Sequence, residues 1–357
     1  MSIATPTSSF ETAPGRSLNL AASVPRPNLL GVRVAAMGMY VPSQIVTNED
    51  LADLGCDSDW IVQRTGILAR RHAPASQATS DLAIAAARNC LDNAGVEPHE
   101  LDMILVATMT PDHVTPSVGS LVQASLGATC GAIDMNAACS GFLYALITGT
   151  HFIKLGTHKK VLVIGADKMS YISDPNDKKT YPLFGDGAGA ALLESDPNPD
   201  LELASGILAS RMVSVGELGD SLIIPGGGSR QPCSQAMLDG RQQFLRMEGR
   251  SVFKWAVRLI PEVVSETVLS AGLDLEDIDL LVLHQANERI IKAATEDLQI
   301  EEERVFVNLE KYGNTSAASV PISLYEAWQD GRIQRGDNVM MMGFGAGLTW
   351  SSCLFRW

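Results

Sequence analysis

Hydrophobic positions along this chain fall into short continuous runs separated by stretches of helical period. Val32-Arg33-Val34-Ala35-Ala36-Met37-Gly38 reads as a buried strand, stopped by Pro42. Asp81–Ala94 carries apolar residues at helical spacing, and Leu101–Met109 reads as a strand. Ser117–Leu126 predicts a helix, Ala132–Met135 a short buried strand, and Gly141–Leu155 an apolar helix. Lys160–Gly165 and Leu280–Leu283 are further buried strands, and Glu288–Leu298 is a helix. Strands alternating with helices predict layered α/β architecture.

The pattern occurs twice. Ala94-Gly95-Val96 precedes the strand Glu100-Leu101-Asp102-Met103-Ile104-Leu105-Val106. Ala271-Gly272-Leu273 precedes Asp277-Ile278-Asp279-Leu280-Leu281-Val282-Leu283 at an offset of 177 positions. Val161-Leu162-Val163-Ile164-Gly165 matches Val339-Met340-Met341-Met342-Gly343 at an offset of 178. Gly187-Ala188-Gly189 and Gly345-Ala346-Gly347 each introduce an apolar strand, at a different spacing. Helix–turn–strand cassettes recur in many α/β proteins, but two matches at nearly one offset favour duplication of a whole unit. Its period is far too long for a solenoid. Two sheets would then pack with helices between and around them, with a site where the halves meet. The expected division is a disordered tail over residues 1–31, one half over 32–200 and the other over 201–357.

Composition narrows the class. Of 357 residues, 46% are hydrophobic and 19% charged, as in a globular enzyme, and a chain of this length holds two domains or one large double core. No apolar run approaches the roughly 20 residues of a membrane span. The net charge of −14 argues against nucleic acid as a partner. An acidic partner would need a local basic patch. Six cysteines without a C-x-x-C pair, and six histidines without ligand spacing, argue against a disulfide framework or a metal site. Residues 1–31 are rich in Ser, Thr, Ala and Pro and lack the apolar core of a secretory signal. A plastid transit peptide is the alternative to a disordered tail.

Three residues carry candidate chemistry. Cys139, in Asn136-Ala137-Ala138-Cys139-Ser140-Gly141-Phe142, lies at the start of an apolar helix, where the dipole and free backbone N–H groups favour a thiolate. Alone, it fits a buried structural thiol equally well. His284 ends a strand in the second repeat, the usual place for ligand chemistry in an α/β sheet. Asn314, in Gly313-Asn314-Thr315-Ser316-Ala317-Ala318-Ser319, lies 175 positions after Cys139 and near its duplicate, although Gly-Asn also reads as a turn and helix cap. A thiol, a histidine and an amide together suit decarboxylative Claisen condensation. The cysteine takes an acyl group as a thioester, and neutral His Nε2–H and Asn NH₂ hold an enolate oxyanion. Backbone N–H groups near Cys139 and Ala346 would hold the tetrahedral oxyanion.

From Val32 to Trp357 the chain resembles the β-ketoacyl-acyl-carrier-protein synthase III family of the thiolase-like superfamily. Six ordered segments carry the resemblance: Trp60–Ile67, the Cys139 segment, Phe184–Ala190, Leu283–Asn287, Gly313–Ser319 and Gly343–Trp350. It implies a five-layered α-β-α-β-α duplicated thiolase-like fold and a cytoplasmic homodimer (in the plastid stroma if the tail is a transit peptide). It further implies Cys139, His284 and Asn314 as the catalytic triad, with no metal or redox cofactor. Thiolases and elongating synthases place another residue type where Asn314 stands. The implied reaction joins an acyl-CoA primer to malonyl-acyl carrier protein, giving 3-oxoacyl-acyl carrier protein, CoA and CO₂.

The same resemblance implies that Trp60, Arg64 and Asn287 contact CoA and that Gln285, Ala286, Asn287, Glu288 and Arg289 dock the carrier protein. Independently, Arg250, Lys254 and Arg258 recur at i, i+4 and i+8, one basic stripe on a helix, so Lys254 joins the docking set. Departures from the family pattern bear on specificity. Ala346 stands where many members have glycine, and Lys178 replaces an arginine. Thr115 occupies a primer-gate position that is phenylalanine in acetyl-primed relatives, and Gly216–Gln243 is long enough to shape the mouth. The alternative reading is a divergent acyltransferase of specialised metabolism on the same scaffold.

Overall fold

The apolar runs become strands buried on both faces, and the repeated Ala-Gly ends the helix preceding each of them. Gly95 and Gly272 take φ 63° and 76° at those helix ends, a conformation that costs glycine least. The computed structural model describes residues 28–198, 200 and 203–357. Its early strands are β1 (Leu29–Leu30), β2 (Val32–Tyr40), β3 (Ile45–Thr47), β4 (Ala69–Arg71), β5 (Met103–Ala107), β6 (Gly131–Met135), β7 (Lys160–Lys168) and β8 (Asp186–Ser195). Helices α1 (Ser58–Thr65), α2 (Thr79–Ala94), α3 (Val118–Leu126), α4 (Gly141–Lys154) and α5 (Met169–Ile172) lie among them. Strands β9 (Gly206–Ser214), β10 (Leu222–Ile223), β11 (Arg246–Met247), β12 (Leu280–Leu283), β13 (Asn338–Gly345) and β14 (Thr349–Arg356) follow. The later helices are α6 (Gln235–Asp239), α7 (Gly249–Ser270), α8 (Glu288–Leu298), α9 (Leu309–Tyr312) and α10 (Ser319–Gln329).

Two five-stranded sheets form, in the orders β2-β8-β7-β5-β6 and β1-β9-β14-β13-β12. Four strands of one match four of the other in order and sense: antiparallel β2/β8 and β8/β7 with parallel β7/β5, against antiparallel β9/β14 and β14/β13 with parallel β13/β12. The duplication reaches single hydrogen bonds. Asp102 accepts from the Lys160 N–H, and Asp279 from the Asn338 N–H. The fifth positions differ: β6 pairs along its length with β5, whereas its counterpart is a single bridge between Leu281 and Val305.

Helices α4 and α10 lie between the sheets, α2 covers the outer face of the first, and α7 and α8 cover that of the second. This is the expected five-layered α-β-α-β-α order. Two expectations change. Residues 1–27 of the tail lie outside the described residues, but Leu29 and Leu30 are ordered as β1, paired with Ile207 and Gly206. β6 is half-exposed rather than buried, because it forms the outer edge of its sheet.

Candidate active site

Cys139 sits in one 3₁₀ turn, Ala138–Ser140, between β6 and α4; a matching turn, Ser316–Ala318, precedes α10. Ala138 and Ser316 open the two turns with φ 47° and 53°, and each turn is fixed by an asparagine two residues earlier. Asn136 Oδ1 accepts the Ala138 N–H at 3.2 Å, and Asn314 Oδ1 accepts the Ser316 N–H at 2.9 Å. The structural counterpart of Cys139 is therefore Ala317, while Asn314 pairs with Asn136.

The two turns meet different neighbours. The Ala317 N–H donates to the Asp167 carboxylate at 3.1 Å. At the equivalent place beside Cys139 stands Gly345, where a Cβ would lie 2.8 Å from the Cys139 nitrogen and 3.1 Å from its sulfur. With no side chain there, the Cys139 N–H lacks the carboxylate partner that Ala317 has.

Cys139, His284 and Asn314 line one apolar cavity together with Met109, Phe344, Gly345 and Ala346. His284 is buried at the end of β12, its Nδ1 2.6 Å from Ser319 Oγ. That oxygen also accepts the Gln285 N–H at 3.3 Å, which directs its own hydrogen to Nδ1 and leaves the ring proton on Nε2. Burial depresses the His284 pKa to about 3, so the ring is neutral at physiological pH. Asn314 is oriented by the Ser316 N–H on its Oδ1, and among the described residues its Nδ2 has no protein acceptor.

The thiol departs from expectation. Burial pushes the Cys139 pKa up to about 12, against the opposing effects of the Ser316 hydroxyl and its own backbone N–H. Desolvation is the largest influence on this thiol and opposes the thiolate that a helix start favours. Its sulfur lies 3.6 Å from Ser316 Oγ.

A wide mouth adjoins the cavity, the two sharing Leu183, Met247, Gly249, Phe253 and Asn287. Trp60, Arg64, Lys178, Lys179, Arg250, Lys254 and Arg289 line it, with Glu248 as the acidic residue. This is a local basic patch on an acidic chain. Arg64 stacks over Trp60 at 4.3 Å, and Arg289 lies 5.4 Å from the Phe253 ring. Asn287 ties the entrance together: its Nδ2 donates to the Arg64 carbonyl at 2.8 Å, and its Oδ1 caps α8 at the Arg289 N–H. Ala286 lines the inner cavity, and Leu222 brings the Gly216–Gln243 segment to the same wall.

Two sequence-derived placements fail, Gln285 as a docking residue and Thr115 as a gate within one chain. Gln285 is buried, with its amide spent on the Leu283 and Phe306 carbonyls and the Asn308 N–H, so it offers nothing to a docking partner. Glu288 pairs with Lys292 and is absent from the mouth lining. Arg258 is exposed but lies beyond the two basic residues of its stripe that reach the mouth. Thr115 lies on an exposed loop, outside the lining of its own chain's cavity, so it does not gate that cavity from within one chain. Sequence reading also missed Ser316, Ser319 and Asp167. A polar Asp167 at the carboxyl end of the buried strand β7 was the available signal for the last.

Among the described residues, no group of three or more His, Cys, Asp or Glu side chains could hold a metal, and no helix is long and apolar enough to cross a membrane. Residues 133–216 match the family model described as 3-oxoacyl-[acyl-carrier-protein (ACP)] synthase III, and residues 269–357 match the model for its C-terminal part. β-Ketoacyl-[acyl-carrier-protein] synthase III of Rhodopirellula baltica is 53% identical over 92% of this chain and 99% of its own length. The crystal structure of 3-oxoacyl-[acyl-carrier-protein] synthase III from Aquifex aeolicus superposes with a TM-score of 0.84 at 43% identity, covering 92% of this chain and all of the other. The priming β-ketosynthase from the R1128 polyketide biosynthetic pathway superposes with a TM-score of 0.83 at 32% identity, covering 92% of this chain and 97% of the other. The paired turns, the cavity built from both halves and these likenesses have one explanation: the chain belongs to the β-ketoacyl-acyl-carrier-protein synthase III family of condensing acyltransferases.

Proposed function

We propose that the chain condenses an acyl-CoA primer with malonyl-acyl carrier protein, initiating fatty-acid synthesis, with Cys139 as the acyl acceptor. The observation carrying this reading is the convergence of Cys139, His284 and Asn314, drawn from both halves, on one apolar cavity. Cys139 attacks the primer thioester and CoA leaves. Malonyl-acyl carrier protein then loses CO₂, and the enolate oxygen is held by His284 Nε2–H and Asn314 Nδ2–H. A neutral histidine is the appropriate donor, since an imidazolium would protonate the enolate that must attack. Acyl-Cys139 accepts that attack, and the backbone N–H groups of Cys139 and Ala346 hold the tetrahedral oxygen. No metal or redox cofactor has a role in this sequence.

In this reading Trp60, Arg64 and Asn287 border the CoA path, and Arg250, Lys254 and Arg289 receive the carrier protein. The chain works as a cytoplasmic homodimer. Two features support the dimer: the exposed edge strand β6, with Ile133 43% exposed, and the adjacent loop, where Val114 is fully exposed. Thr115 on that loop can gate a primer only if a second copy carries it to the partner's cavity.

Purified protein incubated with acyl-CoAs of graded length and malonyl-acyl carrier protein should yield 3-oxoacyl-acyl carrier protein by mass. The absence of ketoacyl product with every primer would defeat the proposal. The likeness to a priming β-ketosynthase supports a second reading, in which the same chemistry primes a specialised metabolite. Preference for a dedicated carrier protein over that of fatty-acid synthesis would favour it.

A further inference from the structure

Glu326 is a largely buried carboxylate on α10 to which the proposed reaction gives no role. Its Oε1 accepts the Tyr312 hydroxyl at 2.6 Å, and its Oε2 accepts the Asn308 Nδ2–H at 2.8 Å. The exposed Lys311 ammonium lies 3.6 Å from Oε2. Glu326 itself does not line the cavity. Each of its oxygens leads instead to one of the two groups assigned to hold the enolate.

The first arm runs to Asn314. Tyr312 is buried, and Gly313 after it takes φ 64° and ψ −159°, turning the chain at once into Asn314. The Asn314 main chain is bonded to the first half, through the Leu183 carbonyl at 2.8 Å and the Gly185 N–H at 3.0 Å. The Tyr312 hydroxyl ties the same stretch to α10. The second arm runs to His284. Buried Asn308 accepts the Ser323 hydroxyl at 2.9 Å, and its N–H donates to Gln285 Oε1 at 3.2 Å. Gln285 directly follows His284, and its amide also donates to the Leu283 carbonyl at 2.8 Å. The Ser319 hydroxyl against His284 Nδ1 belongs to the first residue of α10. One helix therefore contacts the surroundings of both donors, and Glu326 joins the two arms. In the first half the equivalent position is Thr148, seven residues after the first residue of α4 as Glu326 is after that of α10. Its hydroxyl bonds the Tyr144 carbonyl of its own helix at 2.7 Å. The junction thus belongs to the half that supplies His284 and Asn314.

We propose that Glu326 is a positioning residue for decarboxylation: by holding Tyr312 and Asn308 together, it fixes Asn314 Nδ2 and His284 Nε2 relative to one another. An enolate oxygen held by two donors needs both within hydrogen-bond distance of one point, and a shift of either by about 1 Å forfeits its bond. A carboxylate suits the junction because both arms present donors, and hydrogen bonds to a carboxylate are stronger than those to a neutral acceptor. Burial and the adjacent Glu326 push the Tyr312 pKa up, which keeps its hydroxyl a donor. Glu326 neither gives nor takes a proton in the reaction. Acylation of Cys139 uses neither enolate donor and is independent of the junction.

The proposal rests on His284 and Asn314 holding the enolate, and the test separates the two ideas. Full-length wild type, Glu326→Ala, Glu326→Gln, Tyr312→Phe, His284→Ala and Asn314→Ala are compared in both half-reactions. Acylation by acyl-CoA is timed by intact mass, and CO₂ release from malonyl-acyl carrier protein is measured on enzyme already acylated. Glu326→Ala should lower kcat for CO₂ release roughly 10- to 100-fold, as misplacing a catalytic group does, with KM for malonyl-acyl carrier protein and the acylation rate within about twofold of wild type. Glu326→Gln, whose carbonyl oxygen accepts while its NH₂ cannot, should fall between the two. Tyr312→Phe removes one hydroxyl and keeps the ring, so it tests the junction even if Glu326→Ala does not fold; it should show the same split at about three- to tenfold. Wild-type CO₂ release by Tyr312→Phe and by whichever Glu326 variants fold would overturn the positioning role. Equal loss of both half-reactions, the mark of a purely structural residue, would overturn it as well. Wild-type CO₂ release by His284→Ala and Asn314→Ala would instead overturn the assignment of the donors.

Discussion

The turns Ala138–Ser140 and Ser316–Ala318 share backbone shape, an asparagine bracket and a following helix, yet only one carries a reactive atom. What separates them is the facing strand end. Gly345 leaves room beside Cys139 and its N–H, whereas Asp167 fills the corresponding space and binds the Ala317 N–H. Duplication supplied two equivalent frames. One seats the Cys139 thiol, and the other forms the wall that presents Asn314 and Ser316 to it.

The largest test of this division is Cys139→Ala, which should abolish acylation by intact mass, while Ala317→Cys in that background should not restore it. Next come His284→Ala and Asn314→Ala. Each should cut decarboxylation by the acylated enzyme roughly 100- to 1,000-fold, the effect of losing one oxyanion donor, while Cys139 still accepts the primer. Equal loss of acylation would contradict the separation of roles.

Gly345→Ala and Gly165→Ala probe the two frames directly. The added methyl would lie 2.8 Å from the Cys139 nitrogen in the first and 2.3 Å from the Ala317 carbonyl oxygen in the second. Both should destabilise by about 1–3 kcal/mol in denaturant unfolding. Only Gly345→Ala should slow acylation by more than the unfolded fraction explains.

At the mouth, Arg250→Glu, Lys254→Glu and Arg289→Glu should each raise KM for the carrier protein by about tenfold at low salt, with the gap narrowing as ionic strength rises. The smallest expected effect concerns pH. The folded pKa of His284, about 3, lies below the ordinary value of 6.5, so the unfolded chain binds more protons between them. The stability due to keeping this ring neutral is therefore complete above pH 6.5 and is lost as pH falls towards 3. His284→Gln should flatten the stability profile across that window, read by urea unfolding at successive pH values.

Much of this was legible in the sequence. The offsets of 177 and 178 correspond to matched strands and to the matched bonds of Asp102 and Asp279. Cys139, His284 and Asn314, which line one cavity, stood out because each fell at an element end in an apolar chain. Direction was not legible. Gln285 adjoins mouth residues in sequence, yet the bend from β12 into α8 turns its amide inward, onto the Leu283 and Phe306 carbonyls. The thiol's high pKa was hidden because desolvation depends on residues distant in sequence, Phe344 and Gly345 among them. Asp167 escaped notice because its partner, the Ala317 N–H, lies 150 positions away.

The short strand β1 sets a practical limit on shortening the chain. Leu29 belongs to the central core, and the Lys154 ammonium holds the Leu30 carbonyl at 2.6 Å. Cutting after Gly31 would remove both leucines and free the Gly206–Ile207 edge of the second sheet for pairing with other molecules. A truncation that begins at Asn28 or earlier keeps that edge covered, which makes Asn28 the natural first residue for a minimal version.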